Sequence, residues 1–103
     1  MPKLSCTARR VGDFESRTEE YELTFALENG APRELRIKYQ AARAYEISAA
    51  LDDATDTARG AIADTAPEMT GKPTDESLAK FSWRTLQSVK YDEGEPKTSY
   101  ISI

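Results

Sequence analysis

The sequence predicts an α+β fold: an antiparallel sheet of about five strands, ordered β-β-β-α-β-β along the chain, with one long helix packed on one face. Three observations carry this. The runs Tyr21-Glu22-Leu23-Thr24-Phe25-Ala26-Leu27 and Leu35-Arg36-Ile37-Lys38-Tyr39 alternate apolar and polar residues across Asn29-Gly30. An alanine-rich stretch with apolar residues at three- and four-residue steps follows at once. A turn cluster, Asp92-Glu93-Gly94-Glu95-Pro96, then separates two further strand-like runs. Alternation puts successive side chains on opposite faces of a strand, whereas a three-to-four period puts them on one face of a helix.

Leu4 to Val11 reads as the first strand, with Leu4, Cys6 and Ala8 facing in and Lys3, Ser5, Thr7 and Arg9 facing out. Gly12-Asp13 and the polar stretch to Glu20 make a loop, or a bulged continuation through Phe14. In the following hairpin Tyr21, Leu23, Phe25 and Leu27 line one face, and Glu20, Glu22, Thr24 and Glu28 the other. A three-residue loop, Asn29-Gly30-Ala31, sets Phe25 opposite Leu35, Leu23 opposite Ile37, Tyr21 opposite Tyr39 and Glu22 opposite Lys38. A five-residue loop from Asn29 to Arg33 would set Glu28 against Glu34, so the shorter loop is preferred.

From Gln40 to Ala63 the residues Ala44, Ile47, Leu51, Ala54, Ala58 and Ala61 or Ile62 form one stripe of an amphipathic helix, with Arg43, Glu46, Asp53, Asp56 and Arg59 around the rest. Alanine favours the helix and lets it lie close on a sheet; Gly60 is a soft spot near its end. Residues 64–77 contain Pro67, Gly71 and Pro73 and little to bury, which predicts a flexible connector. Thr74, followed by Asp75 and Glu76, can cap a short helix. Phe81 to Tyr91 supports two periods. As a strand, Phe81, Trp83, Val89 and Tyr91 share a face with Thr85 and Gln87; as a helix, Leu78, Phe81, Leu86 and Val89 form a loose stripe. The turn cluster after Tyr91 and the strand-like Ser99 to Ile103 favour a strand and a second hairpin.

At 103 residues the chain makes one α+β domain, residues 1–103, with a thin core: fourteen residues are alanine, and Leu, Ile, Val and Phe number seventeen. Net charge is −4 and the sequence pI is about 4.9. Residues 1–43 hold eight Lys/Arg against seven Asp/Glu, and residues 44–103 six against eleven. The overall field therefore disfavours a phosphate backbone. The single cysteine, Cys6, falls on the inward face of its strand and reads as a buried thiol in a reducing compartment. The first residues have no apolar leader region and no apolar run approaches the roughly 18 residues of a membrane span, so a cytoplasmic protein with no membrane association is expected.

The chain has no histidine. That removes Ser-His and Cys-His nucleophilic catalysis and His-ligated zinc or iron, and one cysteine cannot build a thiolate cluster. Asp52-Asp53-Ala54-Thr55-Asp56 resembles the aspartate-rich DDxxD element with which isoprenoid synthases chelate magnesium-diphosphate, and Asp52 and Asp56 could share a divalent ion. Those enzymes need a large all-helical cavity and a second metal-binding element; here the aspartates read as the solvated face of a helix. Gly71-Lys72-Pro73-Thr74 resembles the end of a phosphate loop, but proline interrupts the helix start whose N–H groups would hold phosphate.

Arg9, Arg10, Arg36 and Lys38 could line a basic strip for nucleic acid, with Trp83 or Tyr91 stacking, yet Glu20, Glu22 and Glu34 interleave with them and cross-strand ion pairing is the preferred role. The functional expectation is a small non-catalytic module that binds protein, forms a homodimer, and needs no metal or cofactor. Its expected contact residues are Tyr45, Trp83, Tyr91, Tyr100, Ile101 and Ile103, combining aromatic anchors with a terminal strand available as a pairing edge. The alternatives are a nucleic-acid-binding outer sheet face and a small carboxylate-dependent enzyme.

Overall fold

Among the described residues the chain forms four strands and two helices, in the order β1 (Lys3–Arg10), β2 (Glu19–Leu27), β3 (Arg33–Tyr39), α1 (Ala44–Thr65), α2 (Asp75–Lys90) and β4 (Lys97–Ser102), with one 3-10 turn at Pro67–Met69 between the helices. The structure is a computed structural model describing residues 2–11, 19–39, 44–90 and 95–103, with backbone only for Glu19, Tyr39, residues 44–46 and Lys90. The strands make one antiparallel sheet in the order β3-β2-β1-β4. Both helices cover the same face: α1 lies over β2 and β3, and α2 over β1 and β4. The other face bears no helix among the described residues.

The inward residues of the three first strands are as their alternation predicts. Leu4, Cys6, Ala8, Tyr21, Leu23, Phe25, Leu27 and Ile37 are buried, and Ala54, Ala58, Ala61 and Ile62 of α1 meet them. Small alanine side chains bring the helix axis close to the sheet, and alanine's helix propensity supports 22 residues of helix despite the modest apolar content. Gly60, the expected soft spot, has a packing role. The Arg33 guanidinium lies over it, where an added Cβ would fall 3.0 Å from Nη1, and continues to the carboxylate of Asp64, with Nε 2.7 Å from Oδ2.

The hairpin register differs from the expected one by two residues. Leu23 pairs with Leu35, Tyr21 with Ile37, Glu22 with Arg36 and Glu20 with Lys38. The chain reverses through Leu27–Gly30, where the Gly30 N–H donates to the Leu27 carbonyl at 2.7 Å and Asn29 takes φ 67°. Asparagine tolerates this left-handed conformation. A slip of two leaves every side chain on its own face, so alternation alone does not discriminate the two registers.

The larger correction concerns residues 75–90. The sequence favours a strand from Phe81 and a second hairpin; the chain instead forms α2, and β4 pairs with β1. The sheet therefore has four strands, and two helices replace the single long one. The buried stripe of α2 is Leu78, Phe81, Ser82, Thr85, Leu86 and Val89, a helical period whose two hydroxyl residues disguise it. Ser82 Oγ donates to the Leu78 carbonyl and Thr85 Oγ1 to the Phe81 carbonyl, both at 2.9 Å, so each hides its polarity within its own helix. Thr55 does the same in α1, donating to Leu51 at 2.8 Å.

Thr74 caps α2 as its sequence context predicts: the Ser77 N–H donates to Thr74 Oγ1 at 3.1 Å, with Asp75 and Glu76 in the first turn. The helix is 16 residues long rather than short. Between the helices, Arg59 of α1 donates to the carbonyls of Thr70 (2.6 Å) and Pro73 (2.8 Å) and pairs with Asp75, joining both ends of the connection.

Candidate functional site

Three surfaces are available to a partner: the two sheet edges, the outer sheet face, and the seam between the helices. Hydrogen-bond parity determines what each edge presents. The Glu28 N–H donates to Lys3 O (3.0 Å) and the Val11 N–H to Glu20 O (2.9 Å), so odd-numbered residues of β1 bond toward β2. The Ile103 N–H donates to Pro2 O (3.1 Å), so even-numbered residues of β1 bond toward β4. Within β4, residues 97, 99 and 101 consequently face β1, and the backbone N–H and C=O groups of Thr98, Tyr100 and Ser102 point away from the sheet.

The same parity carried through β2 leaves Glu34, Arg36 and Lys38 as the outward-pointing residues of β3, preceded by Pro32, which has no N–H. The two edges are chemically unequal. Charge and proline guard β3, the usual means of preventing edge-to-edge pairing. β4 is likewise preceded by a proline of outward parity, Pro96, and begins at Lys97, but from Thr98 to Ser102 it carries neither charge, proline nor glycine, and no strand among the described residues pairs with its outer edge.

On the outer face the side chains stand in cross-strand rows. Glu22 lies between Arg9 (3.3 Å) and Arg36 (3.6 Å), so one carboxylate serves two guanidinium groups. Glu20 is paired in register with Lys38. Arg10 alternates onto the inner side of β1 and does not join this row. Lys3, Arg9, Arg36 and Lys38 together face Glu20, Glu22, Glu28 and Glu34, so the face is charge-balanced. Beyond the ionic rows, the hydroxyls of Thr7 and Thr98 meet at 2.9 Å, and Tyr100 stands over the small side chains of Ser5 and Ala26. Tyr100 is 63% exposed, the one large apolar side chain so placed among the described residues.

Between the helices, Trp83 of α2 is half-buried beside Ile47 and Leu51 of α1 and Ala79. A cavity of about 10 Å³ beneath them, lined also by Leu23, Ile37 and Ala54, has room for about one water molecule. Asp52, Asp56, Asp75 and Glu76 flank a shallow depression beside this seam. Glu76 pairs with Lys80 at 3.0 Å and Asp75 with Arg59. Among the described residues no group of three or more Asp, Glu or Cys is arranged to hold a metal ion. Cys6 is fully buried, and desolvation pushes its thiol up to about 12, with a hydrogen bond to Thr85 acting in the opposite direction. A thiol so held is a packing residue rather than a nucleophile.

The expected contact residues are thus dispersed. Tyr100 lies on the outer face and Trp83 on the helical layer. Ile101 and Ile103 are half-buried and pack against the core, with Ile101 opposite Leu4. The Tyr45 side chain and Tyr91 lie outside the described residues. Thr98 and Ser102, whose amides share the outward edge with Tyr100, were not singled out from the sequence; the signal is the uncharged alternation of β4 set against the charged β3. No protein-family model, curated protein or solved structure matches the chain. Among the described residues no helix is long and apolar enough to cross a membrane.

Proposed function

We propose that this protein is a non-catalytic protein-interaction module that works as a homodimer, with β4 as its pairing edge. The observation that carries the reading is the unequal charge of the two edges, each of which is preceded by a proline: the outward residues of β3 are Glu34, Arg36 and Lys38, while β4 presents the outward amides of Thr98, Tyr100 and Ser102 with no charged side chain among them. An unguarded edge is a template for another strand, and a second copy supplies one of matching length. The sharing of Glu22 by Arg9 and Arg36, on a face whose charges balance, favours this reading over nucleic-acid binding, because a carboxylate stands between those cations where a phosphate would have to bind.

Light scattering on the purified chain tests the proposal, with a dimer as the expected result. Thr98→Pro deletes one outward N–H but none that β1 uses, so its expected result is a monomer with an unchanged circular dichroism spectrum. A wild-type chain that stays monomeric at the highest attainable concentration, or a Thr98→Pro variant that remains dimeric, would refute it.

A further inference from the structure

We infer that two copies of the chain join their β4 strands antiparallel about a two-fold axis through Tyr100, forming one continuous eight-stranded sheet. The inference rests on the homodimer reading and adds its register. Three constraints converge on it. Only Thr98, Tyr100 and Ser102 have outward backbone groups, so hydrogen-bonded pairs across the axis must be drawn from these residues. Placing Tyr100 opposite the same residue of the second copy also pairs Thr98 with Ser102, so all three outward residues of β4 take part. Shifting the axis to Ser99 brings Pro96, which lacks an N–H, opposite Ser102; shifting it to Ile101 pairs Tyr100 with Ser102 and leaves Thr98 without a partner within β4.

Side-chain chemistry agrees with this register. On the outer face the two Tyr100 rings become direct cross-strand neighbours, covering the most exposed large apolar group, and a hydroxyl row of Thr98 and Ser102 flanks them. No like charges are placed opposite one another, since Lys97 falls opposite Ile103.

The helical layer fits as well. Because α2 lies over β1 and β4, the α2 helices of two copies would be two strand spacings apart, roughly 9.6 Å, within the ordinary 8–10 Å of packed helices. Ser77, Arg84 and Ser88 lie on the α2 flank away from Ala79 and Trp83, the flank that would face the second copy, and Arg84 is held there over the Phe81 ring, 5.8 Å from its centroid.

Cysteine cross-linking in the full chain reads the register directly. Paired residues in a hydrogen-bonded position lie about 5.5 Å apart at Cα, inside the range a disulfide spans. Native Cys6 is fully buried and gives no background. After equilibration of mixed samples and oxidation with diamide, Thr98→Cys is expected to link to Ser102→Cys and neither to link to itself; Tyr100→Cys is expected to link to itself. Tyr100→Ala is expected to weaken the dimer about tenfold or more, read by sedimentation. A dimer in which Thr98→Cys links to Tyr100→Cys, in which no pair links, or whose affinity is unchanged by Tyr100→Ala overturns the register while leaving the dimer intact. A monomeric wild-type chain overturns the homodimer reading and the register with it.

Discussion

Replacing Arg59 tests how the two helices are joined. Its side chain is 28% exposed and places three donors on three acceptors: the Thr70 carbonyl at 2.6 Å, the Pro73 carbonyl at 2.8 Å and the Asp75 carboxylate. Arg59→Met keeps the apolar stem and removes all three. Two charge-assisted bonds to carbonyls, each partly replaceable by water, contribute about 1 kcal/mol apiece, and the Asp75 pair adds a few tenths because that carboxylate is 75% exposed. The expected loss is about 2–3 kcal/mol, or roughly 10 °C or more in melting temperature for a domain of this size. Arg59→Lys, whose single ammonium cannot span both carbonyls, should lose about 1–2 kcal/mol. Asp75→Asn should stay within about 0.5 kcal/mol of wild type. Urea unfolding followed by circular dichroism and Trp83 fluorescence measures all three. If Arg59→Met cost less than about 0.5 kcal/mol, or Asp75→Asn cost as much as Arg59→Met, the assignment of the joint to the backbone carbonyls would be refuted.

Two further outcomes follow from the packing. The thiol of Cys6 holds its proton to about 12 in the folded chain and ionises near its ordinary value when unfolded, so unfolding releases a proton between those limits. Its contribution to stability is complete below about pH 8.5 and falls by about 1.4 kcal/mol per pH unit above it; Cys6→Ala should lack this slope, and parallel urea-midpoint profiles for the two proteins would contradict the buried-thiol account. At Gly30, an added Cβ would overlap the Thr65 hydroxyl at the end of α1 and lie 3.0 Å from the Leu27 carbonyl, so Gly30→Ala should cost about 1–2 kcal/mol. Adding Thr65→Ala should recover part of that loss, and a double-mutant cycle with no coupling would show that the turn does not press on the helix.

Much of the inner face is legible in the chain because periodicity is a local property. The apolar residues of β1 and β2, and the Ala54, Ala58, Ala61 and Ile62 stripe of α1, are buried as their spacing predicts. The α2 stripe is obscured because Ser82 and Thr85 count as polar in a linear reading, although each hydroxyl is satisfied four residues back in its own helix. Among the expected contact residues, Tyr100 was identifiable as an aromatic on a strand. Its exposure depends on parity with Leu4, Cys6 and Ala8, which turns Ile101 inward and Tyr100 outward. Trp83 lies in the helical layer, on the side of the sheet opposite the face that bears Tyr100.

The amino-acid order by itself determined the inward face of Leu4, Cys6, Ala8, Tyr21, Leu23, Phe25, Leu27 and Ile37, the Ala54, Ala58, Ala61 and Ile62 stripe of α1, and where Thr74 caps the helix that follows, because those choices depend on residues one to four positions away. The tertiary structure alone decided that β4 pairs with β1, that the hairpin takes the register of Leu23 with Leu35, and that β3 and β4 become the edges. Strands of equal alternation are interchangeable until the whole core closes; here α2 fills the space over β1, and β4 completes that side of the sheet.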